Sequence, residues 1–238
     1  MFAIYKRELR SYFVTPLGYV FIAVFLAAAG FAFSILVIFN ALTSGRSDVD
    51  TYFTVVIFSF AILLPLLTMK SFADERRTRT EQLLLTSRVS LPGMVMGKFF
   101  AAYTVFGAAM LASCLFFIVL GRYGSPNGAR IFGSVLAVFL VGGAFIAIGL
   151  FVSSLTENQL VAAVGTIAVM LFFLVVGFLS SYVSSPALRA VLGWVSVYSR
   201  FQNFTSGIFD PAAIIYYLSL CFVFLFGTVR VFESRRWA

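Results

Sequence analysis

Charged residues are absent from six long stretches of this chain, residues 11–45, 51–69, 99–121, 131–156, 158–188 and 211–229, and apolar side chains dominate each of them. A bilayer core about 30 Å thick needs roughly 20 apolar residues to be crossed by one helix, so each stretch is long enough to span. Strands of a membrane barrel would alternate apolar and polar residues over about ten positions, and no such alternation is present. The pattern therefore predicts spanning helices over about residues 17–40, 52–69, 97–120, 130–152, 159–182 and 211–230. Thr15-Pro16 and Asp210-Pro211 read as helix starts, each with a capping oxygen ahead of a proline at the first helical position. Pro65 falls inside the second helix, where the missing donor predicts a kink.

Three segments outside these helices have their own organisation. Near the N-terminus, Phe2, Tyr5, Leu9, Tyr12 and Phe13 share one helical face and Lys6, Arg7 and Arg10 occupy the rest, the pattern of a helix lying in the membrane interface. Residues 70–92 form the most polar loop. Residues 183–210 open on Ser185-Pro186 and then place Leu188, Val191, Leu192 and Val195 at helical spacing, which predicts a short helix dipping back toward the bilayer. The expected fold is an all-α integral membrane protein: an interfacial helix over 1–16, a six-helix domain over 17–230 with a polar cytoplasmic loop at 70–92 and a re-entrant outer segment at 183–210, and a basic tail at 231–238.

Composition strengthens this picture. A chain of 238 residues that is 61% hydrophobic and 11% charged, with mean hydropathy +1.03, has more apolar surface than one soluble core buries. Lys6, Arg7 and Arg10 precede an apolar run too long for a cleaved leader, so that run reads as a retained first helix. The net charge of +8 is explained by topology and anionic lipid, without nucleic acid. With the N-terminus in the cytoplasm, Lys6, Arg7, Arg10, Lys70, Arg76, Arg77, Arg79, Arg88, Lys98, Arg230, Arg235 and Arg236 fall inside, leaving Arg46, Arg122, Arg130, Arg189 and Arg200 outside. This 12 to 5 division predicts a multi-pass protein with both termini inside. Cys114 and Cys221 sit within apolar runs and read as small buried hydrophobes.

Catalytic chemistry is hard to find. The chain has no histidine, which removes the usual general base and the commonest transition-metal ligand. The lysines beyond Lys6 lie at helix ends, so no buried lysine is expected as a base for a serine. Gly93 and Gly97 ahead of Lys98 do not form a phosphate loop, because only three residues separate the glycines and Phe99 follows the lysine; glycines at this spacing instead allow close helix packing. Asn203-Phe204-Thr205 matches a glycosylation acceptor, a motif that is frequent by chance. The spans also carry no internal charge that could couple transport to an ion gradient. An ATP-hydrolysing partner is the simplest source of energy for uphill transport.

The polar loop carries a recognisable pattern: Phe72-Ala73-Asp74-Glu75-Arg76-Arg77-Thr78-Arg79-Thr80-Glu81-Gln82-Leu83-Leu84-Leu85. It resembles the first cytoplasmic loop of permease subunits of type 2 ABC transporters, with Arg79 where that family usually has glycine and Arg88 where it has proline. Arg200-Phe201-Gln202-Asn203-Phe204, Gly207-Ile208-Phe209-Asp210 and Tyr216-Tyr217-Leu218-Ser219-Leu220 look like the gliding-motility-associated branch. The resemblance implies that the loop forms a coupling helix on a separate ATPase subunit. It places Asp74, Glu75, Arg76, Arg77, Glu81, Gln82, Leu83, Leu84 and Leu85 at that interface, supported by Arg7 and Glu8. It also implies a second permease copy or paralogue, an outward direction of transport, and ATP and Mg on the partner rather than a cofactor in this chain. Two other readings stay open at this stage: a passive channel or secondary carrier, and a non-transporting membrane anchor of a larger assembly, to which an accessory protein with an extracellular domain could belong.

Overall fold

The computed structural model describes residues 1–39, 49–79, 90–123, 128–182 and 185–236. Among these the chain is helical and contains no strand. Its first helix, α1 (Phe2–Val14), is followed by α2 (Leu17–Ala32), which continues as a π-helical turn over Phe33–Phe39. Then come α3 (Val49–Arg77), α4 (Leu91–Ser113), α5 (Leu115–Tyr123), α6 (Gly128–Leu155) and α7 (Gln159–Tyr182). The last three are α8 (Pro186–Val195), α9 (Val197–Thr205) and α10 (Pro211–Arg236). Six of the described segments are long and apolar enough to cross a membrane: α2 with its π turn, α3, α4 running on into α5, α6, α7 and α10. The protein is an all-α integral membrane protein.

The helix ends refine the expectation from hydropathy. α3 runs through Arg77, well past the last apolar residue of its stretch, and α10 likewise extends to Arg236. Thr15 does not cap α2; its hydroxyl bonds back to the Ser11 carbonyl at 2.8 Å, and Pro16 itself is the cap position. Asp210 behaves as expected, accepting the Ala212 amide at 2.9 Å ahead of Pro211. Pro65 lies inside α3.

Helices α3 and α6 are the most enclosed spans, and they pack on each other along much of their length. Lipid tails are as apolar as leucine side chains, so association of spans depends on close packing and on hydrogen bonds. Gly149 shows both the need and the means: a methyl group there would collide with the Thr68 side chain, so α6 meets α3 through bare backbone. Four residues further on, the Ser153 hydroxyl donates to the Met69 carbonyl at 3.0 Å and accepts the Ala73 amide at 3.2 Å, joining α6 to α3 by a polar contact. α10 packs on the other side of α6, and α7 closes against both α3 and α6.

The outer segment forms a helical hairpin rather than the single short helix expected. Its two helices, α8 and α9, meet at Ser196, whose backbone is extended and whose hydroxyl caps α9 by accepting the Ser199 amide at 3.1 Å. Tyr216 and Tyr217 of α10 pin this joint, donating to the carbonyls of Val195 at 2.6 Å and Val197 at 2.8 Å. α9 buries Val197, Phe201 and Phe204, whereas α8 leaves Leu188 and Trp194 exposed.

The packing at Gly149 predicts opposite signs for two glycine-to-alanine changes. Gly149→Ala should destabilise the protein by about 1–3 kcal/mol through overpacking. Gly193→Ala, at a helical position with nothing within 4 Å of the added methyl, should be neutral or stabilise by about 0.5–1 kcal/mol. Thermal unfolding of the two variants in detergent checks both; equal melting temperatures would remove the close-contact account.

Candidate functional site

Charged side chains gather at one end of the bundle, where α1, the end of α3, the start of α4, the α6–α7 turn and the end of α10 come together. At their centre is Lys98, with only 2% of its side chain exposed. Its ammonium lies 2.8 Å from Glu75 Oε1 and 3.3 Å from Glu8 Oε1, and donates to the Ser71 carbonyl at 2.6 Å. Those three contacts match the three protons of an ammonium. The Phe72 ring adds a cation–π contact with its centroid 4.9 Å away. Arg7 closes the cluster from outside, 3.4 Å from Glu75 Oε1 and 3.9 Å from Glu8 Oε1. Two cations therefore face two carboxylates, with Glu8 and Glu75 each about 14% and 13% exposed.

Each partner reaches this point for a local reason. Lys98 is in the second turn of α4, and sequence position alone puts it near water. α1 folds back over that turn and removes the water, because Gly97 leaves room for Ile4, which would stand 3.2 Å from an added methyl. The expected glycine-mediated packing is thus found, with α1 as the partner. Tyr12, buried on α1, donates to the Leu67 carbonyl of α3 at 3.0 Å. Burial, and to a lesser degree the Glu8 charge, push its hydroxyl pKa up. Glu75 arrives because α3 remains helical beyond its apolar stretch. The absence of a buried lysine, expected from the sequence, is therefore corrected. Glycines at 93 and 97 beside Lys98, together with the acid at Glu8, were the available signal.

The remaining predicted residues separate into three groups. Asp74 accepts a hydrogen bond from Gln159 at 2.6 Å, and Arg76 pairs with Glu157 at 2.8 Å while bonding the Leu155 carbonyl at 3.0 Å. Arg235 adds a bond to the neighbouring Ser154 carbonyl at 2.6 Å, so two arginines satisfy the last carbonyls of α6. Arg77 and Arg79 are exposed. Glu81, Gln82, Leu83, Leu84 and Leu85 lie outside the described residues. The structure thus brings Arg7, Glu8 and Glu75 together around Lys98, with Glu8 and Glu75 turned inward, and ties Asp74 and Arg76 to the α6–α7 turn. Arg79 has φ of +57°, the left-handed region that favours glycine. The backbone so keeps a glycine-type helix end at the position where the sequence has arginine.

Beside the cluster is a polar cavity of about 260 Å³, reached also by Ser11, Tyr12 and Thr78. A larger cavity of about 620 Å³ opens between α4, α6 and α10; its walls are apolar, with Arg230 and Glu233 at one end, and it holds none of the residues predicted for docking. No group of His, Cys, Asp or Glu suited to a metal ion is present among the described residues.

The family model for ABC-2 family transporter proteins matches residues 40–231. The chain belongs to the ABC-2 transporter family. No curated protein matches it as a relative. Membership makes it a permease-type membrane transport component, not itself catalytic, of a family whose permeases pair with ABC ATPases. In this ABC-2 permease the region matched by the family model contains Glu75 and Lys98, whereas Arg7 and Glu8 precede it.

The cluster predicts a strong asymmetry between single and paired substitutions. Lys98→Met leaves two largely buried carboxylates with only the exposed Arg7 as a cation among their described partners and should cost about 3–5 kcal/mol. Adding Glu75→Gln to Lys98→Met removes one of those charges and should recover a measurable part of the loss. Thermal melts of both variants in detergent decide this; a Lys98→Met protein as stable as the parent would show that the cluster adds no cohesion.

Proposed function

We propose that this chain is the transmembrane permease of an ATP-driven exporter, paired with a second copy or a paralogue and served by two separate cytoplasmic ATPase subunits. The observation that carries this reading is the single helix α3, which runs over Val49–Arg77 from one end of the bundle to the other. At the charged end, Lys98 and Ser153 fix it to α4 and α6. Beyond Arg79 the chain enters the segment that resembles the coupling helix. A push on that segment acts on a helix held to α1, α4 and α6, so the ATPase can bias the whole bundle between two arrangements.

In this reading Arg77, Arg79, Glu81, Gln82 and the anchor Leu83, Leu84 and Leu85 meet the ATPase, with Arg7 at the edge of the contact. Glu8, Asp74, Glu75 and Arg76 hold the docking end in shape. ATP and Mg reside on the partner, and the charged end faces the cytoplasm of a bacterial inner membrane. The second reading is the motility-type anchor with an extracellular accessory protein. It is favoured by the outer hairpin, whose Tyr216-Tyr217 pins and Arg200–Phe204 segment are the residues resembling that branch.

Two measurements test the proposal. Cysteine at Thr78 should resist an impermeant thiol reagent added to intact cells, while cysteine at Ser206 should react; the reverse labelling would invert the orientation. Glu81→Lys and Leu84→Asp should each leave expression and insertion near normal while weakening copurification of the ATPase and abolishing stimulated ATP hydrolysis. Truncating or charging a packed interface anchor typically costs about 2 kcal/mol or more. Full ATPase binding and stimulation in both variants would exclude the docking assignment. ATPase binding without ATP-dependent cargo movement would favour the anchor.

A further inference from the structure

Arg200 lies at the opposite end of the bundle, and none of the described residues supplies it with a counter-charge. It lies on α9 of the outer hairpin, half-buried, with its guanidinium carbon 4.5 Å from the Tyr216 ring centroid and 5.6 Å from that of Trp194. Its Nε is shut off from solvent and has no hydrogen-bond partner, and the hydroxyl of the adjacent Ser199 is in the same condition. No carboxylate among the described residues forms an ion pair with it. Asp210, the acid that closes the hairpin, is engaged elsewhere: one oxygen accepts the Ala212 amide at 2.9 Å and the other the Asn203 side chain at 3.1 Å.

A guanidinium held between two aromatic rings has a fixed plane, and its terminal nitrogens are not among the atoms shut off from solvent. A fixed, planar fork with free donors is the geometry that recognises a phosphate oxyanion. The neighbourhood indicates where such a phosphate comes from. Trp194 is 73% exposed and Leu188 58% exposed on α8, and an exposed tryptophan at the end of a spanning bundle marks headgroup depth. We propose that Arg200, walled by Trp194 and Tyr216, holds the phosphate of a membrane phospholipid against the outer hairpin.

Trp194 is itself the reporter, since the chain has only two tryptophans. In the full-length protein carrying Trp237→Phe, purified in detergent, Trp194 fluorescence is titrated with dioctanoyl phosphatidylglycerol, with dioctanoylglycerol and with inorganic phosphate. A saturable change with phosphatidylglycerol alone is the expected result, and Arg200→Gln should weaken it on the order of tenfold or more. An equal response to dioctanoylglycerol would show apolar partitioning and overturn the proposal. An equal response to inorganic phosphate would assign the site to a free anion and overturn the lipid source. Unchanged lipid binding by a folded Arg200→Gln protein would remove Arg200 from the site. Where that variant does not fold, Arg200→Lys, which keeps the charge but loses the fork, is expected to weaken binding severalfold, and native-like binding by it would overturn the proposal.

Discussion

An ammonium group cut off from water is tolerated only where opposite charge and hydrogen-bond acceptors replace its hydration, and this condition at Lys98 organises the charged end of the protein. Glu8, Glu75 and the Ser71 carbonyl must all arrive at one nitrogen. α1 is thereby fixed against the bundle instead of resting on the membrane surface alone, and α3 continues as a helix to bring Glu75 within reach. Arg7 then caps the cluster from the solvent side.

In the bilayer the same reasoning applies to neutral groups. Apolar spans gain little from meeting one another in lipid, so the bundle relies on bare backbone and on hydroxyls at particular points. Gly149 against Thr68 and Ser153 against α3 supply these at the inner contact. At the far end the hairpin breaks its helix at Ser196, and the carbonyls on both sides of the break are taken up by Tyr216 and Tyr217. Irregular backbone at this depth is stable because protein donors reach it.

In the proposed function the energy source is a separate subunit, and such an arrangement needs a stiff connection between the point of docking and the spans. Continuous helix in α3, tied at its end to three neighbours, provides one. The Lys98 cluster keeps Glu75 within the permease, while Gln159 and Glu157 hold Asp74 and Arg76 at the α6–α7 turn; in the proposed reading this gives the charged end a mechanical role distinct from recognition.

Much of this was legible in the chain itself. Charge-free runs fixed the six spans, since a bilayer of given thickness demands a given length of apolar helix, and the order of motifs around Asp74–Leu85 pointed to the family. Asp210 also declared its capping role, because a cap is a local interaction. The inward turn of Glu75, the burial of Lys98, the break at Ser196 and the aromatic setting of Arg200 were not legible. Each depends on which other segment comes to lie beside the residue: α1 over Lys98, α10 beside Ser196, and Tyr216 of α10 against Arg200. Hydropathy and spacing report how a residue meets lipid and its neighbours in sequence. Whether a charge is paired or left unpaired is decided by contacts between residues far apart in the chain, and only the tertiary structure sets those.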